Sequence, residues 1–226
     1  MAKFLIIDTA LEEAIVALSN DGKIIAELTN QETQSHANFI QVAIAQLLAT
    51  HQLDIKELDA IAVTLGPGSY TGLRVGLASA KGIAYTLQKP LIGLSTLSAL
   101  AFAAIKLVPK EMKQPFQIFS MIDARRMEIF GAIYDAACKP FLPEQAIVLD
   151  ESKWNSLIHQ PTICIGNGIT KTKAFKVAQK LIYLDAKYTS HELVEMAMIK
   201  WNGGQFEDLA YVGPNYLKEV YILPSK

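Results

Sequence analysis

Glycines and hydroxyl side chains are concentrated in segment 65–76, the first stretch of this sequence whose residue types could do chemistry. A glycine-rich turn between a buried strand and a helix can point backbone N–H groups at a phosphate. The same turn can equally serve close packing, because glycine lets another backbone approach. The spacing matches no nucleotide-binding signature, since Thr71 stands where G-x-G-x-x-G needs its last glycine and no G-K-[ST] follows. The residues alone therefore favour phosphate contact and tight packing equally.

Two aspartates at the ends of apolar runs are the second candidate chemical feature. Asp8 follows the run 3–7, and Asp123 follows the run 116–122. In an ATPase, aspartates at such positions hold Mg²⁺ through water or orient the attacking water. The alternative is that each caps the turn that follows it. We favour capping, because no cationic residue flanks either this glycine loop or the second one at 166–168 to hold a phosphate.

The histidines and cysteines do not predict a metal site. His191 and Glu192 begin a pattern similar to H-E-x-x-H, but Glu195 replaces the second histidine, and a lone histidine cannot hold a catalytic metal. Thr189 and Glu192 fit a capping box instead, which predicts the start of a helix. No catalytic or metal-binding residue is predicted.

Composition indicates a globular protein and excludes several classes. The 226 residues carry a net charge of −1 and are 51% hydrophobic, enough for one large domain or two small ones. No basic patch stands out along the sequence, so tight nucleic-acid binding by this chain alone is not expected. Cys138 and Cys164 lack metal or redox spacing, which fits a reducing compartment. The start on a strand and the lack of a membrane-length run predict a cytoplasmic protein.

Hydrophobic periodicity divides the first half into strands and helices. Strands are predicted at 3–7, 14–19, 23–28, 59–65 and 90–94, and helices at 34–51, 71–87 and 95–107. Asp21-Gly22 favours a type I′ hairpin turn, Ser35 is the predicted N-cap of the first helix, and Ser69 or Thr71 that of the second. The first helix is apolar on two sides, which predicts burial against its own sheet and against something else.

The second half repeats this order after a polar stretch, 109–115, bracketed by prolines. Strands are predicted at 116–122, 127–134, 145–149, 162–165 and 181–184, and helices at 151–158 and 170–177. The polar stretch predicts a boundary between an N-terminal lobe, 1–108, and a smaller C-terminal lobe, 109–226.

Both halves read β-β-β-α-β-α-β, with an aspartate after the first strand and Gly-x-Gly after the fourth. This order predicts a duplicated α/β fold of the actin-like ATPase and ribonuclease H-like type, with two lobes that each hold a mixed β-sheet flanked by helices. A cleft between the lobes would face both aspartates. The nucleotide- or phosphate-binding candidates are Asp8, Thr9, Gly66, Gly68, Ser69, Thr71, Asp123, Gly166 and Gly168.

Four stretches resemble the TsaB (YeaZ) family of bacterial proteins, which is required for threonylcarbamoyladenosine in tRNA and was once grouped with glycoproteases. They are 4–10, 66–76, 123–125 and 214–217. The resemblance covers nearly the whole chain in order and length. It is most specific over 66–76 and looser in the second half.

The resemblance implies a non-catalytic subunit for threonylcarbamoyladenosine formation at adenosine 37 of tRNAs that read ANN codons. The implied partners are TsaD, the paralogue that transfers the threonylcarbamoyl group, in a heterodimer, and the ATPase TsaE. TsaD holds a metal with an H-x-x-x-H pair, and the corresponding positions here are Thr96 and Leu100. The chain itself would thus need no cofactor, with ATP or ADP and Mg²⁺ acting in the complex. It would reach tRNA through TsaD, form a homodimer when alone, and bind no membrane.

The family also implies that helices of the N-terminal lobe, 35–50 and 71–87, contact TsaD. Apolar and small residues on these helices are the candidate partner interface. They are Phe39, Ile40, Ala43, Ile44, Leu47, Gly72, Gly76 and Ala80.

An enzyme remains the alternative: an ATPase or phosphotransferase of actin-like fold that uses Asp8, segment 66–71 and Asp123. Mg²⁺-dependent ATP turnover by the isolated chain, lost in Asp8→Asn, would favour it. A metalloprotease ranks third for want of ligands.

Overall fold

Ten strands and five α-helices make up the computed structural model, which describes residues 2–31, 36–109, 112 and 115–218. The first half contributes β1 (Lys3–Asp8), β2 (Ala14–Asn20), β3 (Lys23–Asn30), α1 (His36–Thr50), β4 (Ala60–Gly66), α2 (Tyr70–Leu87), β5 (Leu91–Ser95) and α3 (Thr96–Lys106). The second half contributes β6 (Gln117–Asp123), β7 (Glu128–Tyr134), β8 (Pro140–Val148), α4 (Glu151–Leu157), β9 (Thr162–Ile165), β10 (Leu181–Leu184) and α5 (Ser190–Asn202).

The two halves form two five-stranded sheets with the same strand order. The first sheet runs β3-β2-β1-β4-β5, and the second runs β8-β7-β6-β9-β10 when taken in the same direction. In each sheet the first three strands in chain order pair antiparallel, and the last two run parallel to the first. The duplicated mixed-sheet fold predicted from the sequence is confirmed.

Strand β1 shows how the sequence builds two cores at once. Its side chains alternate between sheet faces, as in any strand. Phe4 and Ile6 contact the core that α3 and α5 share with both sheets. Leu5 and Ile7 contact the core beneath α1 and α2. Because both faces are covered, the strand is a continuous hydrophobic run rather than an alternating one.

The helices lie in three layers around the sheets. Helices α1 and α2 cover the outer face of the first sheet, α3 and α5 lie between the sheets, and α4 covers the second sheet with the buried Trp154. Helix α5, from the second half, packs on β1, β3 and β5 of the first sheet. The division at 108/109 stays a prediction. No helix in the described part of the chain is long and apolar enough to cross a membrane.

The outer edge of β5 is covered by chain that follows α5. The Glu207 N–H donates to the Leu91 carbonyl at 2.8 Å, which adds one antiparallel bridge to that edge. Lys200 Nζ donates to the Gly93 carbonyl at 2.7 Å. The strand therefore does not present an open row of hydrogen-bonding groups.

Local signals in the sequence set several element boundaries. Asp21 and Gly22 have φ values of 46° and 75°, as a type I′ turn requires. Ser69 caps α2, and its Oγ accepts from the Gly72 N–H at 3.3 Å. Thr189 and Glu192 form the predicted capping box of α5. The predicted N-cap Ser35 lies outside the described residues.

Two predictions on the second half were wrong. Residues 170–177 do not form an α-helix; a short 3₁₀ segment, Asn167–Lys171, is followed by turns. The Thr172 hydroxyl donates to the Ile169 carbonyl at 2.9 Å, a local bond that competes with helix propagation. Strand β8 also begins earlier than predicted, at Pro140.

Candidate functional site

A cleft of about 610 Å³ lies between the two lobes, at the ends of β1, β4 and β6. It combines residues from both halves with one residue from the chain after α5. Its lining includes Ala10, Leu11, Glu12, Gly68, Ser69, Tyr70, Thr71, Ile122, Asp123, Ala124, Arg125, Phe130, Asn167 and Lys218. Four predicted binding residues thus line it, namely Gly68, Ser69, Thr71 and Asp123.

The glycine loop packs closely against the turn that follows β1. A Cβ on Gly68 would lie 2.1 Å from the Ala10 carbonyl oxygen, so only glycine fits there. The Ser69 N–H donates to the same oxygen at 2.7 Å. Gly66 has φ +113°, a conformation that favours glycine. Close packing accounts for these glycines, and the Ser69 N–H that a phosphate would need already has a partner.

The glycine face of α2 also meets β1. A Cβ on Gly72 would lie 2.1 Å from the Thr9 carbonyl oxygen, and one on Gly76 would lie 2.3 Å from Thr9 Oγ1. That hydroxyl donates to the Gly72 carbonyl at 2.7 Å. Ala80 is fully buried on the same side. The assignment of Gly72, Gly76 and Ala80 to a partner interface is corrected, because these residues face the protein's own sheet.

Asp8 is buried behind the cleft lining. Its Oδ1 accepts from the Ala10 N–H at 2.9 Å and from the Thr64 hydroxyl at 2.6 Å. Its Oδ2 accepts from the Tyr188 hydroxyl at 2.7 Å. Burial, and then the neighbouring Asp8 carboxylate, raise the pKa of Tyr188 well above its usual value. Asp8 therefore caps the turn after β1, the alternative favoured at the outset, while Thr9 is buried with it.

Asp123 is the aspartate that reaches the cleft. Its Oδ1 accepts from the Arg125 N–H at 2.6 Å and from Lys171 Nζ at 2.9 Å. Burial acts to raise the pKa of Asp123, but the Lys171 hydrogen bond, the Arg125 N–H and the Lys171 charge outweigh it and lower the pKa. The expectation that no cation stands beside either glycine loop was wrong, since Lys171 lies three residues after Gly168.

The two glycines of the second loop pack against β6 and do not line the cleft. A Cβ on Gly166 would lie 2.2 Å from the Met121 carbonyl oxygen, and one on Gly168 would lie 3.0 Å from the Met121 Cβ. Asn167, between them, accepts from the Asp123 N–H at 2.8 Å and lines the cleft. Among the predicted residues, Gly166 and Gly168 thus act through packing.

The segment 214–218 crosses from one lobe to the other beside the glycine loop. The Asn215 N–H donates to the Leu65 carbonyl at 2.7 Å, and its Nδ2 donates to Glu144 at 2.6 Å. Glu144, on β8, also accepts from the Ser95 hydroxyl at the start of α3. Burial raises the pKa of Glu144, although both hydrogen bonds oppose it. Asn215 and Glu144 therefore join the two lobes.

Two tyrosines and an arginine stand at the mouth of the cleft. Tyr70 and Tyr216 are stacked with ring centroids 5.1 Å apart. The Arg74 guanidinium lies 4.0 Å from the Tyr70 centroid, and its Nε donates to the Tyr216 hydroxyl at 2.8 Å. Lys218 lines the cleft and pairs with Glu128.

The α1 residues of the predicted interface belong to the protein's own core. Ile40, Ala43, Ile44 and Leu47 are each at most 5% exposed, and Phe39 is half-buried. The assignment of Ile40, Ala43, Ile44 and Leu47 to a partner interface is corrected, because these side chains are almost entirely buried, and the half-buried Phe39 packs against the same core. The two apolar sides of α1 are both buried, as predicted: the helix packs on the first sheet and on α2.

The outer faces of α1 and α2 carry a different surface. A groove of about 600 Å³ runs between them, with small or short side chains along α2. Its lining is Gln41, Ile55, Ala78, Ser79, Gly82, Ile83, Thr86 and Leu87. Beside it, Val42 is 65% exposed and Tyr85 is 78% exposed.

Sequence reasoning missed the residues that hold the site from a distance. Tyr188 lies 180 residues from Asp8, and no sequence pattern links them. No sequence pattern predicts that Thr64, inside the β4 run, hydrogen-bonds to the Asp8 carboxylate. Lys171 was detectable in principle, since it follows the second glycine loop by three residues.

Comparison with known proteins shows which family this sequence matches. A family model described as TsaD, tRNA N6-adenosine threonylcarbamoyltransferase, matches residues 23–150. The tRNA threonylcarbamoyladenosine biosynthesis protein TsaB of Escherichia coli K12 is 36% identical over 134 residues, which cover 58% of this chain and 54% of that protein. The tRNA N6-adenosine threonylcarbamoyltransferase of Fervidobacterium nodosum is 30% identical over 125 residues, 49% of this chain and 37% of that protein.

The chain thus spans about half the length of the first curated relatives it matches. A solved structure from Pseudomonas aeruginosa, described as similar to peptidase YEAZ, superposes with a TM-score of 0.78 at 23% identity and covers 96% of this chain and all of that one. This likeness shows a shared fold, in agreement with the predicted duplicated α/β fold.

Proposed function

The chain belongs to the family of TsaD, tRNA N6-adenosine threonylcarbamoyltransferase, and we propose that it serves threonylcarbamoyladenosine formation as a non-catalytic subunit that binds TsaD. Its resemblance to TsaB, named for the biosynthesis of that nucleoside, supports this role. The modified position would be adenosine 37 of tRNAs that read ANN codons.

The observation that carries the proposal is the exposed groove between α1 and α2. Val42 and Tyr85 give this surface exposed apolar area. Ala78 and Gly82 give the groove little side-chain bulk. Exposed apolar surface of this kind marks sites of protein association. The family match at 23–150 spans both helices, so a TsaD partner would present an equivalent pair. Two such helix pairs would pack around a pseudo-twofold axis.

The proposal extends to the other expected partners. Without TsaD, two copies of this chain would pair through it as a homodimer. TsaE would join the TsaD complex, and tRNA would be reached mainly through TsaD. ATP or ADP and Mg²⁺ would act at the level of that complex.

The contacts of Asp8 and the glycine loop weigh against the enzyme alternative. Asp8 is engaged by Thr64 and Tyr188, and the Ser69 N–H by Ala10. At the positions of the TsaD metal pair, Thr96 and Leu100 are buried in the core between the sheets. These side chains favour a structural role for the chain.

The test is a drop-out reconstitution with TsaD, TsaE, the enzyme that makes threonylcarbamoyl-adenylate, its substrates and unmodified tRNA. Modified adenosine is counted with and without this chain. Gly82→Glu is the informative variant, because nothing lies within 4 Å of a Cβ there and the helix accepts glutamate well. Ser152→Glu, exposed on α4, is the matched control.

We expect Gly82→Glu to stay folded yet to lose co-elution with TsaD and support of modification, while Ser152→Glu keeps both. Full modification without this chain would refute the proposed role. Retained TsaD binding by Gly82→Glu would move the interface elsewhere. Ile44→Glu is unsuitable here, since Ile44 is 5% exposed and the variant would test folding.

A further inference from the structure

Two arginines from distant parts of the sequence lie in or beside the cleft between the lobes. The sequence has only three, Arg74, Arg125 and Arg126. Arg125 lines the cleft between the lobes, Arg126 follows it, and Arg74 packs on Tyr70, which lines the same cleft. Nearly 50 residues separate the first from the others in the sequence, so only the fold brings them together. We propose that this cleft rim binds an unpaired segment of RNA by stacking a base on the tyrosines and pairing phosphates with the arginines.

The rim is positively charged in a protein whose net charge is −1. Lys171 pairs with Asp123 and Lys218 pairs with Glu128, so those charges cancel locally. Glu12 is the remaining carboxylate of the lining. None of the three arginines forms an ion pair with a described carboxylate. Arg125 in the lining and Arg74 beside Tyr70 therefore carry charges that no described ion pair cancels, next to the single carboxylate of Glu12.

The side chain of Arg74 is fixed although it is exposed. A surface arginine usually keeps its rotamer freedom, which costs free energy to remove. Here the guanidinium lies over Tyr70, and its Nε is held by the Tyr216 hydroxyl. The terminal nitrogens remain for a ligand, in the fork geometry that suits phosphate. The Arg74 side chain is therefore already ordered before a ligand binds.

The tyrosines supply the second half of the recognition. Tyr70 and Tyr216 are 42% and 40% exposed and form one stacked pair. Aromatic rings beside arginines are the usual means of holding unpaired bases, whereas duplex RNA offers no free base faces. The backbones of Arg125 and Arg126 have φ values of 68° and 46° in the β6–β7 turn. Positive φ values at two successive residues are typical of tight turns, and this turn places Arg125 in the cleft lining.

The inference rests on the proposed function, because it names the tRNA substrate's unpaired loop as a ligand of this chain itself. It also goes beyond the sequence-based expectation, in which the chain reaches tRNA through TsaD. The full-length chain is titrated into a fluorescein-labelled anticodon stem-loop at 50 to 300 mM salt and followed by anisotropy. A duplex of equal length and free ATP serve as competitors.

Arg74→Gln, Arg125→Gln and Tyr70→Ala are compared with two controls. Lys153→Gln removes one exposed charge on α4, and Tyr211→Ala removes the most exposed of the tyrosines that the structure describes, at 88%. We expect Tyr70→Ala to weaken binding about fivefold or more, and each arginine variant to lower the salt slope by about 0.7. The controls should stay within twofold of the unaltered chain.

Unchanged binding in the rim variants, equal competition by duplex, or displacement by an equimolar amount of free ATP would each overturn the inference. The last outcome would make the cleft a site for a free nucleotide. Failure of the proposed function is distinguishable, because it appears as modification that does not need the chain. In that case rim-dependent RNA binding would still stand.

Discussion

Replacing Gly72 by alanine tests whether the glycines of α2 serve the protein's own packing. Glycine to alanine in a helix normally stabilises by about 0.5–1 kcal/mol. Here the new Cβ would lie 2.1 Å from the Thr9 carbonyl oxygen, where contact needs about 3.4 Å. Helix α2 would have to move away from β1 by about 1 Å, and the bond from Thr9 Oγ1 to the Gly72 carbonyl would weaken.

The expected cost follows from these two effects. Overpacking of a well-packed contact costs about 1–3 kcal/mol, and loss of the hydrogen bond about 1 kcal/mol. After the helix-propensity gain, Gly72→Ala should be destabilised by about 1–3 kcal/mol, which lowers Tm by roughly 2–12 °C. Gly82→Ala, in the same helix with nothing within 4 Å of its Cβ, should instead raise Tm by about 1–4 °C.

Thermal and urea unfolding of both variants, followed by circular dichroism, decides the matter. A Gly72→Ala protein as stable as the unaltered chain, next to a stabilised Gly82→Ala, would refute the packing argument. The small-residue face would then be free for a partner, as the sequence alone suggested.

Three further expectations concern buried or paired groups. Tyr188→Phe should lower stability by about 1.5–3 kcal/mol in urea titrations, because the buried Asp8 carboxylate loses a donor; an unchanged midpoint would contradict this. Lys171 and its bond lower the pKa of Asp123, so their contribution is fully present above the ordinary value of 3.8 and is lost as pH falls through the folded pKa. Lys171→Gln should therefore lose less stability than the unaltered chain between pH 5 and pH 2, and equal losses would exclude the pair as a cause. Burial raises the pKa of the Cys164 thiol to about 12, so this cysteine should react with DTNB at pH 8 only after unfolding, as mass spectrometry of the labelled peptide would show.

Most of the architecture could be predicted because it rests on local signals. The β1 run, the Asp21-Gly22 turn and the capping box at Thr189 each depend on residues close in sequence. The repeat of element order then gave the duplicated sheets. The error at 170–177 arose where Thr172 bonds locally and the chain stays non-helical.

The site was less predictable, because its contacts join distant residues. Asp8 was identified correctly as a cap, yet its partner Tyr188 could not be found from the sequence. The helix periodicity of α1 showed which residues are apolar, but not that the protein's own first sheet and α2 cover Ile40 and Ile44. A stripe wider than usual fits a broad core contact as well as it fits an interface.

The covering of β5 by Glu207 has a consequence during synthesis of the protein. Leu91 leaves the ribosome about 115 residues before Glu207, its partner across that edge. At translation rates of 5–20 residues per second, the strand waits roughly 6–23 s for its cover. Throughout that interval the nascent first sheet offers an unpaired edge to other chains. Helix α3, which follows β5 directly, is available to cover the inner face of the first sheet during this interval. The edge of β5 itself depends on chain that is made much later.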